Sequence, residues 1–170
     1  MKKMSALVML AFFAISSRRE IVFGQSEKEN AQLANALTSA KISLEMGIMN
    51  SEREGKPISA KFEMEDGKLQ LSVYTMKGSQ FSEVIVDHQT GRIAKTEAIT
   101  GGEDLASAKQ QAQAMGQAKS SLRAAAETAV KANSGFRAVS VTPLLKGGQP
   151  MADVTLAKGR EFKTVSEKLN

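Results

Sequence analysis

Cysteine and tryptophan are absent from the 170 residues, and tyrosine and histidine occur once each, as Tyr74 and His88. Without cysteine the chain has no disulfide and no thiolate metal site, and its redox compartment stays open. A zinc site wants several imidazole or thiolate ligands, which one histidine cannot supply. The same shortage leaves any nucleophile–base pair dependent on His88 alone, inside a stretch that reads as a turn. Seven phenylalanines and one tyrosine give little material for stacking nucleic-acid bases. No glycine-rich phosphate loop or dinucleotide fingerprint occurs either. The sequence therefore reads as a non-enzyme that carries no cofactor and no metal.

What remains is 42% hydrophobic, mainly aliphatic, and enough for a core. The first residues, "MKKMSALVMLAFFAIS", place two lysines before an apolar run from Met4 to Ile15. That run has the length of a signal-peptide core and is shorter than the ~20 residues that span a bilayer. Residues 1–24 are expected to form a leader cleaved after Gly24, with the mature protein periplasmic or secreted. Arg18, Arg19 and Glu20 are unusual in a cleavage region, so a retained anchor or a misplaced start codon are the other readings. Only an uncleaved leader would tie the chain to a membrane. Removing residues 1–24 takes away four of 23 basic and one of 18 acidic residues, leaving 19 against 17, a net charge of +2. So small a charge, with no lysine–arginine run, argues against a nucleic-acid partner.

Beyond the leader, Leu33, Leu37, Ala40, Leu44 and Ile48 recur at helical spacing and predict one helix over about 29–50. The period then changes to two. Ile58, Ala60, Phe62 and Met64 alternate with polar residues up to Asp66-Gly67, and Leu69, Leu71 and Val73 alternate after it. Alternation on both sides of Asp-Gly predicts a hairpin with a type I′ turn. "QFSEVIVD" and "RIAKTEAI" add two strands. The acidic residues of "GGED" suit the start of a second helix, expected over 104–133 with a kink at Gly116 and a stop at Gly135. "FRAVSVTPLL", "PMADVTLA" and "EFKTVSEK" then read as three further strands, the last an open edge.

"KGSQF" at Lys77 returns as "KGREF" at Lys158, and Ala40-Lys41 returns as Ala118-Lys119. The offsets, 81 and 78, differ by three residues, a difference the sequence places in the first hairpin loop, where "DG" becomes "LLKGG". Ala60 is then matched with Ala138. The fold class expected is α+β: two tandem units, 29–100 and 104–170, each a helix packed on a three- to four-stranded antiparallel sheet. The second unit would stop at Asn170, before a fourth strand.

The order helix, strand, Asp66-Gly67, strand, and then Val86-Asp87 with Thr90-Gly91 resembles the PepSY domain family over Ala36–Ile99. The second copy is weaker, since it has no "DxxTG" element. The resemblance implies an extracytoplasmic α+β module similar in fold to the repeated unit of the secreted β-lactamase inhibitor protein. Its members are associated with peptidase propeptides and envelope proteins, with a restraining role towards peptidases. Read from the residues themselves, Asp87, Thr90 and Gly91 make a turn: Asp87 accepts backbone amides and Gly91 takes positive φ.

The remaining chemistry is sparse. Asp66-Gly67 is too short for a calcium loop. Six methionines beyond the leader are scattered and read as core filling rather than copper ligands. Lys61, Glu63, Gln70, Ser72 and Tyr74 are expected on the polar face of the first sheet, with Tyr74, Lys61 and Glu63 as binding residues and Tyr74 as interface anchor. The expected function is an exported binding module that modulates or inhibits an envelope peptidase. The alternative is a periplasmic module sensing a small ligand or a metal.

Overall fold

Asp66 and Gly67 both adopt positive φ, 49° and 74°, which is the type I′ geometry the Asp-Gly pair predicts. In this computed structural model, which describes residues 21–170 with side chains from Glu27 onward, that turn joins β1 (Lys56–Glu65) to β2 (Lys68–Lys77). The leader expected over 1–24 lies outside the described residues for its first twenty positions. Helix α1 (Ile21–Leu37) includes Gly24. No described helix is long and apolar enough to cross a membrane.

The remaining elements are α2 (Leu44–Ser51), β3 (Gln80–Val86), β4 (Ile93–Ile99), α3 (Gly102–Gln117), α4 (Leu122–Ala132), β5 (Arg137–Lys146), β6 (Gln149–Lys158) and β7 (Glu161–Lys168). The fold of the described residues is α+β. Its seven strands make one antiparallel sheet, in the order β4-β3-β2-β1-β5-β6-β7, where the sequence suggested two. The join is short: Ala60 pairs with Val141 and Lys61 with Ser140. Sequence periodicity cannot reveal such a join, because alternation marks which face is apolar and not which edge is paired.

Each long helix of the sequence reading is broken in two. Thr38 and Ser39 turn their hydroxyls back onto the carbonyls of Asn35 and Ala36 and end α1. Ser43 then caps α2 by accepting the Met46 amide. Between them, the amides of Lys41 and Ile42 donate to the His88 carbonyl. The break between α3 and α4 is built alike. Ser121 caps α4 through the Ala124 amide, and Lys119 and Ser120 donate to the Leu169 carbonyl. Gly116 lies inside α3 and the chain leaves the helix after Gln117, so the kink expected at Gly116 is instead a break a little further on.

The repeated "KG" stretches make equivalent turns. Gly78 and Gly159 take φ of 62° and 58°, and Lys77 pairs with Gln80 as Lys158 pairs with Glu161. The hairpin joining β5 to β6 turns on Gly147-Gly148 alone, with Leu144 and Leu145 still in β5. The three extra residues therefore do not sit in that loop. They fall before β5, where α4 has 11 residues against eight in α2. An offset of 81 brings β1, β2 and β3 into line with β5, β6 and β7, and sets Ala60 against Val141, its partner across the seam, instead of Ala138. Phe81 is buried between Met76 and Ile99, while Phe162, at the same register beside Ala157, is only half-buried on edge strand β7.

The core lies between one face of the sheet and the helices. Leu71, Val73, Val84, Val86, Val141, Val154 and Leu156 are fully buried with Leu44, Ile48 and Leu122. Helices α2 and α4 contact each other there, α2 over β1–β3 and α4 over β5–β7. Gly47 of α2 permits the close approach: a Cβ on it would lie 2.5 Å from Leu71 Cδ2. Helix α3 packs on β5, β1 and β6, and Ser59 Oγ donates to Gln111 Oε1 of α3 at 2.7 Å.

Candidate functional site

Side chains alternate across a strand, so the residues between the core positions of β1 and β2 project to the opposite face. There Lys61, Glu63, Gln70, Ser72 and Tyr74 meet Glu83 of β3. Lys61 Nζ lies 2.6 Å from Glu63 Oε2 and 5.6 Å from the centroid of the Tyr74 ring. Ser72 Oγ donates to Glu63 Oε1 at 3.0 Å, and Gln70 Nε2 donates to Ser72 Oγ at 3.0 Å. Tyr74 donates its hydroxyl to Glu83 Oε1 at 3.2 Å. Further out, Lys95 of β4 pairs with Glu97 at 2.7 Å, and Glu97 stands opposite Glu83.

Electrostatically this is an acidic patch held together by one buttressing lysine. Burial, then the Glu83 and Glu63 carboxylates, push the Tyr74 phenol well above the ordinary tyrosine range, so it remains a donor. Partial burial, with Glu63, Asp66 and Glu83 around it, raises Glu65. The three residues singled out from sequence, Tyr74, Lys61 and Glu63, are thus brought together. Tyr74 is half-buried and tied to Glu83, not a freely exposed anchor. Glu83 was missed, although the two-residue turn at Gly78-Ser79 fixes the register that puts it opposite Tyr74.

His88 sits elsewhere, in the connection between β3 and β4. It is half-buried within the turn that the sequence suggested, and its Nδ1 is buried with no partner among the described residues. Its carbonyl holds the segment linking α1 and α2. Beside it, Asp87 Oδ1 accepts the amides of Gln89 and Thr90 at 2.9 and 2.8 Å, and Thr90 Oγ1 accepts the Arg92 amide. Gly91 takes φ of 75°, and its carbonyl accepts Asn50 Nδ2 of α2 at 2.8 Å. Asp87, Thr90 and Gly91 therefore form the turn that the residues themselves suggested. Asn50, which ties that turn to α2, carried no sequence signal.

The amides of Thr90 and Gln89 hold the Asp87 carboxyl below its ordinary range. A carboxylate with a depressed pKa in the folded chain contributes stability that is present above the unfolded value, about 3.9, and lost as pH falls through the folded one. The wild-type chain should accordingly exceed Asp87→Asn in urea stability at neutral pH, with the gap closing below about pH 4. A gap that stays constant down to pH 2 would remove this role from Asp87.

Among the described residues no group of three histidine, cysteine, aspartate or glutamate side chains is placed to hold a metal. No family model, curated protein or solved structure matches the chain.

Proposed function

We propose that the chain is an exported, non-catalytic PepSY-like binding module that restrains an envelope peptidase through the polar face around Tyr74. The observation that carries this reading is the patch itself. Six side chains from three strands are tied into fixed positions by one another, with Lys61 and Glu63 left 37% and 20% exposed. Pre-fixed polar groups suit recognition, since less side-chain freedom is lost on binding. Tyr74 offers a largely apolar ring with its polar tip satisfied, the kind of residue that anchors interfaces. Export rests on the lysine-apolar pattern of Met1 to Gly24, and the PepSY likeness on the Asp66-Gly67 and Asp87–Gly91 elements in their order.

Tandem origin belongs to the same proposal. The constant 81-residue strand offset supports it, as do the matched bulges beside Ile58 and Val139. So do the two helix breaks, each held by a carbonyl 81 positions from the other.

The test is dose-dependent inhibition. Added to the peptidase activity of an envelope extract from the source cell, the chain should lower cleavage of a fluorogenic protein substrate. Tyr74→Ala and Lys61→Glu, each folded by circular dichroism, should need at least tenfold more protein for the same effect. No inhibition by the wild-type chain, or equal inhibition by both variants, would defeat the reading.

A further inference from the structure

Where α3 ends and α4 begins, the chain leaves a cleft of about 380 Å³, open to solvent on one side, between this connection and the start of β1. We propose that it binds a small carboxylate with a short apolar body. The proposal does not rest on the polar face around Tyr74.

Shape gives the first argument. The strand offset of 81 sets Lys56 of the cleft against Arg137, and the helix offset of 78 sets Ser120 against Ile42. At those other positions the chain fills its own space. Arg137 is half-buried, with Nη1 and Nη2 donating to the carbonyls of Leu37 and Ile42 at 3.0 and 3.1 Å, and Ile42 is in the core. Lys56 instead makes a single bond, from Nζ to the Met115 carbonyl at 3.1 Å. Lysine for arginine and serine for isoleucine leave volume that no described side chain occupies. The volume falls in the range of small-molecule sites.

Charge and polarity give the second. Three cations border the cleft, Lys56, Lys119 and Arg123, against one carboxylate, Glu52. Arg123 spends Nη1 on Glu127, and its Nε is buried with no partner among the described residues. The rest of the lining is mainly apolar, including Ile48, Pro57, Met115 and Leu122. An apolar floor beneath an excess of positive charge matches an anion with a hydrocarbon part. A bare inorganic anion would leave the floor unused, and a neutral apolar molecule would leave the cations unpaired.

The experiment is an NMR titration of the ¹⁵N-labelled full chain with hexanoate, hexanamide and inorganic phosphate. Hexanoate should saturate, with the largest shifts at the amides of Gly55, Ser120 and Arg123, and the other two should bind at least tenfold more weakly. Ser120→Ile should abolish binding by restoring the side chain that fills the other position. Lys119→Glu, a change at an exposed residue, should weaken binding at least tenfold whether or not Ser120→Ile folds. Tyr74→Ala should leave binding unchanged, which separates this site from the polar face. The proposal is overturned if hexanoate fails to saturate, if hexanamide or phosphate binds as tightly, or if Lys119→Glu binds like the wild type.

Discussion

Replacing Arg137 by leucine is expected to destabilise the chain by about 3 kcal/mol, since hydrogen bonds to charged groups are worth ~1.5–3 each and two are lost. Arg137 opens β5, yet its guanidinium serves the other end of the sequence, reaching the carbonyls of Leu37 and Ile42, 100 and 95 residues away. It also lies over the Phe62 ring, 5.3 Å from its centroid. Those carbonyls flank the break between α1 and α2, where helix ends leave acceptors that need partners. Burial lowers the pKa of the guanidinium, and Glu45 partly offsets this, but arginine stays charged in proteins. Leucine would fill some of the volume while taking this donor from the Ile42 carbonyl and leaving the Leu37 carbonyl with the Ala40 amide alone. Arg137→Lys keeps the charge but loses the planar fork, so it should fall about midway. Urea denaturation of the three proteins decides the matter. If Arg137→Leu lies within 0.5 kcal/mol of the wild type, roughly the scatter of neutral surface changes, Arg137 does not hold the break in place.

The second large effect is expected at Leu71, where alanine should cost about 2–5 kcal/mol by the usual transfer and cavity terms. Leu71 is fully buried, pairs with Phe62 on one side and Val86 on the other, and packs its Cδ2 against the backbone of Gly47. That contact makes a compensating change possible. In the wild-type chain a methyl at position 47 has no room. In Leu71→Ala the obstructing atom is gone, so Gly47→Ala would fill part of the cavity and recover the ~1 kcal/mol that glycine costs a helix interior. The double variant should therefore be more stable than Leu71→Ala alone, whereas Gly47→Ala alone should gain little or lose. Strict additivity in this cycle would show that α2 does not depend on the glycine for its approach to the sheet.

Much of the candidate site was legible in the sequence because its determinants are local. Alternation placed Lys61, Glu63 and Tyr74 on one face, and Asp66-Gly67 fixed the register that aligns them. The same reasoning, carried across Gly78-Ser79, would have added Glu83. His88 could not be read this way. Whether a turn residue is covered depends on what packs over it, and the segment from Thr38 to Ile42 reads as helix in the sequence. Both long helices failed for one reason. Ala40 and Ala118 sit at helical spacing, and nothing nearby announces that Lys41 and Lys119 have better acceptors in the carbonyls of His88 and Leu169.

By itself, then, the sequence determined the strands, their turns and the apolar face of each, since period, glycine φ and hairpin register are settled within a few residues. Tertiary structure alone decided that the strands form one sheet, that Ala60 faces Val141 across its seam, and that Arg137 reaches the break between α1 and α2. Those outcomes depend on groups up to 100 residues apart, and their free energy appears only when both partners are in place.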